Sequence, residues 1–273
     1  MAARASTHRL LSRVSSRRMS TQATTASASA PASTSASANP AHNQTMTLPD
    51  GRKLGFAEYG DARGRKTLLY FHGYPSSRVE GRLLHRLALA HSIRVLALDR
   101  PGYGLSTPQG PRRALLDWPR DVEAFAAAQG LGRFAARDKE AAAAGTARPN
   151  LVTAPDERPV AEQRAALLDL LLGEPFAQGP DGAVQEARIL TDDDWGFRLE
   201  DVTFRAAPIR IWHGARDVNA PIEAIRYLAA RLPNAVLHEF AQDTHYTMGD
   251  HVERAVLELM DETDNGTGQG LKL

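Results

Sequence analysis

Two apolar runs constrain this chain most: TLLYF at Thr67–Phe71 and IRVLAL at Ile93–Leu98. Neither alternates regularly between apolar and polar residues, so each strand expects burial on both faces. Between them Glu80–Ala90 reads as a helix, and Leu115–Gln129 as another. The rhythm resumes with a strand at Pro208–Trp212, a helix at Pro221–Leu232 with proline in its first turn, a strand at Ala235–Phe240 and a helix at Asp250–Met260. Asp156 and Asp181 stand where they would N-cap helices over 157–172 and 182–190. Strands separated by helices belong to a mostly parallel sheet with helices on both faces, an α/β architecture. QTMTLPDGRKLGFAEYG adds an antiparallel edge, two strands joined by the turn residues Pro49-Asp50-Gly51.

Composition then removes whole classes of function. At 273 residues and 42% hydrophobic, the chain can bury the core of one sizeable domain. No run of about 20 apolar residues occurs, so no membrane span is expected. Cysteine is absent, which removes disulfides, thiolate metal sites and a cysteine nucleophile together. No histidine pair has the H-E-x-x-H spacing, and neither a metal nor a cofactor is expected. Residues 1–49 carry five arginines and no acid, a charge of +5, which leaves 28 basic against 32 acidic residues, or −4, for the rest. A mildly acidic body offers no footprint for nucleic acid.

The first 45 residues stand apart. MAARASTHRLLSRVSSRRMS sets Arg9, Arg13 and Arg17 one helical turn apart, with Leu10, Leu11 and Val14 on a neighbouring face. Arginine-rich, serine-rich and acid-free composition marks a mitochondrial transit peptide and a matrix location. Without that role the segment is a disordered extension of a cytoplasmic protein. The Ser/Thr/Ala/Pro tract behind it has too few large apolar groups to order itself. The expected layout is an extension and linker over 1–45, a folded domain over 46–262 and a disordered tail over 263–273.

Three strand ends carry polar chemistry, and loops beyond the carboxyl ends of parallel strands are where reactive groups gather. The first is Phe71-His72-Gly73-Tyr74-Pro75 and the second Leu98-Asp99-Arg100-Pro101-Gly102-Tyr103-Gly104-Leu105-Ser106. The third pairs Trp212-His213-Gly214-Ala215-Arg216-Asp217 with Asp243-Thr244-His245. At these residues the body resembles the α/β-hydrolase superfamily, specifically its single-domain esterase and peptidase-like members. The likeness runs from Thr45 to Arg133 and again from Leu190 to Met260.

The resemblance implies roles residue by residue. His72-Gly73-Tyr74-Pro75 matches the oxyanion loop, with the Tyr74 N–H as donor to a tetrahedral intermediate and His72 and Gly73 beside the substrate. One such fixed donor lowers an acyl-transfer barrier by about 3–4 kcal/mol. Asp217 matches the family's acid and His245 its base. The carboxylate would fix the imidazole tautomer while the other ring nitrogen takes a proton from the nucleophile. Asp99 to Ser106 forms a tight loop shaping the site, with Ser106 as a hydrogen-bonding hydroxyl at the substrate side. Gly102 and Gly104 do not make a dinucleotide loop, because Thr107 stands where the third glycine belongs and Pro108 and Pro111 oppose a helix start.

The resemblance also implies a further strand ending in G-x-S-x-G, the sharp turn that presents a serine nucleophile. The chain instead reads Leu131-Gly132-Arg133-Phe134 and then AARDKEAAAAGTARPN, with no apolar run and no such turn. Ser106 is its last serine. The sheet is therefore expected to be incomplete at its centre, with Leu151-Val152-Thr153 a poor remnant of the next strand. Serine-hydrolase chemistry on a small ester or amide is expected to be lost in the chain as it stands. Four lysines against 29 arginines fit GC-rich coding DNA, in which a deletion, a splice variant or a misread exon would leave such a stretch.

Three functions stay open. One is a serine hydrolase whose nucleophile lies in an omitted exon, and another a pseudohydrolase that binds a small molecule or a protein. The third is an aspartate-nucleophile hydrolase, since Asp194-Trp195-Gly196 resembles the elbow of haloalkane dehalogenases and epoxide hydrolases. Against it, Asp194 follows a helix rather than a buried strand. Helices within 134–190 would form a short cap, with Leu167, Leu168, Leu170, Leu171 and Leu172 as an apolar face. That face roofs a pocket, packs on the sheet or joins two copies in a homodimer.

Overall fold

The computed structural model describes residues 39–132, 134–138, 159–192, 194–204 and 207–265. The extension up to residue 38, the stretch 139–158 with Leu151-Val152-Thr153 and Asp156, and the tail from 266 lie outside the described residues.

The expected hairpin forms from β1 (Gln44–Thr47) and β2 (Lys53–Gly60). Gly51 closes its turn at φ +86°, where a side chain would be strained, and the Asp50 carboxylate accepts the Arg52 N–H. The two apolar runs become β3 (Lys66–Phe71) and β4 (Ile93–Leu98). β4 sits between antiparallel β2 and parallel β3 in a five-stranded sheet ordered β1-β2-β4-β3-β5. Successive strand residues enter opposite cores. Leu68, Tyr70, Val95 and Ala97 pack with Leu87 of α1 (His85–Ala90) and with Val256 and Met260 of α6 (Val252–Asn265). Leu69, Phe71, Leu96 and Leu98 pack with Val122 and Phe125 of α2 (Asp117–Ala128). Burying each such leucine contributes about 1.5–3 kcal/mol. The helix expected from Glu80 opens instead as a 3₁₀ turn over Arg78–Leu84 before α1.

One strand appears where the sequence shows no apolar run. β5 (Ala135–Asp138), within AARD, pairs parallel with β3 from Leu68↔Ala135 to Phe71↔Asp138. A buried N–H or C=O left open on β3 costs about 1–3 kcal/mol, whereas the whole strand-propensity scale spans about 1 kcal/mol. Backbone demand therefore outweighs a poor side-chain preference.

β6 (Ile209–Gly214) and β7 (Ala235–Phe240) form a separate two-stranded parallel sheet, so the parallel array is interrupted among the described residues. α6 reaches both sheets. Its Val256 and Met260 join the core under Leu68 and Ala135, while the Arg254 guanidinium lies 5.2 Å from the Trp212 ring centre. α5 (Ile222–Arg231) connects β6 to β7, with Pro221 just ahead of it as expected.

The cap region contains α3 (Val160–Leu168), continued by a π-helical turn over Asp169–Gly173, and α4 (Asp181–Leu190). Asp181 does not cap α4; Pro180 holds that position and no side chain bonds the helix end. Leu168 and Leu172 are exposed, and the side chains of Leu167, Leu170 and Leu171 lie outside what is described. Among the described residues no helix is long and apolar enough to cross a membrane.

Candidate active site

The loops after β6 and β7 are tied together before any side chain enters. Ala215 N–H donates to Phe240 O at 2.9 Å and Arg216 N–H to Asp243 O at 2.8 Å. Gly214 is required there, because a Cβ would lie 2.5 Å from Asp243 O. Asp217 follows, buried, with Oδ1 accepting the N–H groups of Asn219 at 2.8 Å and Ala220 at 3.0 Å. Its Oδ2 accepts from His245 Nδ1 at 2.9 Å. Burial opposes ionisation of Asp217, but the Ala220 N–H, the His245 imidazole and the Asn219 N–H outweigh it and hold the carboxyl below its ordinary range. The carboxylate thus assigns the proton to Nδ1 and leaves the Nε2 lone pair of His245 outward.

The His245 turn has its own supports. Thr247 Oγ1 donates to Asp243 Oδ1 at 2.7 Å and accepts the Thr244 N–H at 2.9 Å. His251 Nε2 bonds Asp243 Oδ2 at 3.0 Å. Asp217 and His245, which the resemblance pairs, are in hydrogen-bond contact. No hydroxyl among the described residues hydrogen-bonds His245 Nε2.

The first strand end builds a different device. His72 is fully buried; its Nε2 accepts the Arg100 N–H at 3.0 Å, which places the proton on Nδ1, and Nδ1–H donates to Gly73 O at 2.9 Å. Burial, reinforced by the Arg100 charge, pushes His72 down to about 4, so the ring is neutral at physiological pH. Glu80 accepts the Gly73 N–H at 3.2 Å. Because a peptide is planar, fixing the Gly73 carbonyl also fixes the Tyr74 N–H, which points the opposite way. That N–H has no acceptor among the described residues, and Tyr74 is half exposed. Among those residues no hydrogen bond, ion pair or ring contact joins Tyr74 to Asp217 or His245.

Two expected substrate contacts are corrected. His72 has both nitrogens engaged inside the protein and supports the turn from behind. Ser106 is buried, with Oγ donating to Asp99 O and accepting the Gly55 N–H, each at 2.8 Å. It holds β2 against the Asp99–Ser106 loop and has no hydrogen left for a ligand. Of the remaining serines in the described body, Ser77 is fully buried.

Several residues central to this arrangement give little signal in sequence. Arg78, buried, bonds Asp99, Glu174, Asn43 and the His42 carbonyl. Burial keeps the Asp99 carboxyl above its ordinary range in spite of that guanidinium. Glu186 of α4 is buried between Arg100, 2.7 Å away, and Arg113; burial opposes its ionisation, and the two arginines overcome it. Gly182 meets Gly102 backbone to backbone, and Gln185 and Arg188 donate to the carbonyls of Gly110 and Arg113, so α4 is fastened to the body along its length. His213 is buried beneath the acid, donating Nε2–H to Ala220 O at 2.8 Å. Only the long-range contacts disclose these roles.

Asp194 does not stand on a strand-to-helix elbow. It lies exposed in a loop after α4, with Oδ1 accepting the Gly196 N–H at 2.8 Å. A 370 Å³ cleft opens there, where Arg112, Arg113 and Arg188 face Asp192 and Asp194 beside Trp195. No histidine lines it to serve as a base, and no residue of the Asp217–His245 pair or the Tyr74 turn does either.

No family model matches the chain. It is 34% identical over 98 residues to a pimeloyl-(acyl-carrier protein) methyl ester esterase of Chromobacterium violaceum, covering 36% of this chain and 37% of that protein. An enzyme of the same name from Aromatoleum aromaticum is 36% identical over 73 residues, 27% of this chain and 28% of the relative. The matches thus span 37% and 28% of those relatives' length. Among solved structures, an esterase from Exiguobacterium antarcticum superposes with a TM-score of 0.58 at 15% identity, covering 82% of this chain and 100% of its own. The enol-lactonase of Burkholderia xenovorans does so with a TM-score of 0.56 at 16% identity, covering 80% and 100%. The order β1-β2-β4-β3-β5 and these structural likenesses agree: the chain has the fold of the α/β-hydrolases, with a sheet that is incomplete among its described residues.

Proposed function

We propose that this chain is an esterase-type hydrolase relative whose site receives a small ester- or amide-like carbonyl compound but has no serine to attack it. One observation carries the reading. Asp217 and His245 meet at 2.9 Å, yet His245 meets no hydroxyl among the described residues, and the last serine of the chain is occupied in holding a loop. In this reading the Tyr74 N–H, aimed outward by the His72–Gly73 bond, is the donor to the carbonyl oxygen, and Asp217 and His245 flank the carbonyl carbon. A bound carbonyl compound is polarised but forms no acyl-serine. The test is a fluorophosphonate probe applied to the purified chain, with circular dichroism recorded on the same sample. The folded protein is expected to take no label. A covalent adduct on Ser76 or Ser77 would sink the reading.

A further inference from the structure

A base that meets no serine among the described residues still has water at hand. His245 donates Nδ1–H to Asp217, keeps its Nε2 lone pair, and leaves 16% of its side-chain surface open to solvent. Asp217 Oδ1 is held by two backbone N–H groups, which leaves Oδ2 to the imidazole. The nearest titratable neighbours do not compete for it. His213 Nε2 lies 3.8 Å from Oδ2 but donates to Ala220 O, the Tyr246 ring centre stands 5.5 Å from that of His245, and Asp243 is engaged by His251. We propose that Asp217 and His245 act as a general-base pair that activates water directly for the hydrolysis of activated esters. The inference rests on the absence of an attacking serine proposed above.

The step balances without any further reactant. Nε2 takes a proton from water as the water oxygen bonds to the carbonyl carbon, and the carbonyl π electrons move to its oxygen. The tetrahedral centre then reforms the carbonyl, the bond to the alcohol oxygen breaks, and the imidazolium returns its proton to that oxygen. Ester and water become acid and alcohol. General-base assistance of this kind contributes about 10²–10⁴-fold, and triad sites deprived of one member keep about 10³–10⁴-fold over water.

The full 273-residue chain is assayed with p-nitrophenyl acetate, beside fluorophosphonate labelling and circular dichroism. The expected result is steady release of p-nitrophenolate with no burst and no label, slower in D₂O, and about 10²-fold weaker in His245→Gln and in Asp217→Asn. Asp217→Asn preserves the shape of the acid, so it carries the test should His245→Gln fail to fold. Unchanged turnover in either folded variant overturns the inference. An equal rate in D₂O also overturns it, since the imidazole itself would then be attacking. A folded chain that takes no label and turns over nothing overturns this inference alone and leaves the proposed function standing. A burst with labelling overturns both, because a serine would have attacked.

Discussion

The same dipeptide stands at the carboxyl ends of two parallel strands, His72-Gly73 just after β3 and His213-Gly214 closing β6, and both histidines are buried. Their settings differ. β3 has β4 on one edge and β5 on the other, and Thr67 to Phe71 are all buried. Among the described residues β6 pairs only with β7; Ile209 to Trp212 remain half-buried, and Val236 of β7 is 39% exposed. A parallel strand buries both faces when packed layers cover both sides of its sheet, as α1 with α6 and α2 do for β3. The acid–base pair nevertheless sits on the poorer sheet. Its geometry comes from loop bonds, Ala215 to Phe240, Arg216 to Asp243 and the N–H pair on Asp217, and these need no third strand.

The comparison breaks most readily in the cores. Leu69→Ala empties a fully buried site in β3 and is expected to cost about 3–4 kcal/mol in urea unfolding. Leu237→Ala in half-buried β7 should cost about 1 kcal/mol, because less apolar area returns to water. Equal losses would mean that β6 and β7 are packed as tightly as the larger sheet.

How far the sequence disclosed these regions follows the same division. TLLYF and IRVLAL announce strands because both of their faces are buried, and Pro49-Asp50-Gly51 announces its turn through residues that such a backbone needs. The Asp217–His245 pair was legible because each residue closes a short loop after a strand. β5 was not, since its pairing is imposed by the edge of β3 and not by its own alanines. Nor were Arg78–Asp99 and Arg100–Glu186–Arg113, buried ion pairs between residues far apart in sequence. The second substrate role of Ser106 failed for a related reason: a hydroxyl near a site reads the same whether it faces a ligand or a backbone carbonyl.

A pH titration sharpens the comparison within the larger sheet. Burial lowers His72 to about 4 from an ordinary imidazole value of 6.5. Between those values the unfolded chain takes up a proton that the folded chain refuses, so stability rises with pH across the window. The contribution is complete above 6.5 and is lost as pH falls toward 4, by about 3 kcal/mol. His72→Gln should flatten this part of the curve, read as urea midpoints at successive pH values. An unchanged slope in a folded His72→Gln protein would show that some other group carries it.

The smaller sheet offers the smallest effect and the most local one. His213 clamps the Asp217 loop through one hydrogen bond to Ala220 O, while the Ala220 N–H holds Asp217 from its other side. His213→Leu removes that donor and leaves a carbonyl without its partner, a loss of about 1 kcal/mol in global stability. The local consequence should be larger than the global one, because the same turn sets the direction of Asp217 Oδ2. The Nδ1 proton of His245, sheltered between imidazole and carboxylate, is expected as a low-field resonance in the unaltered protein and as a broadened or absent one in the variant. If that resonance persists unshifted while the protein loses stability, the Asn219 and Ala220 N–H groups alone position the acid. The loop would then owe its geometry to backbone bonds, with His213 contributing only packing.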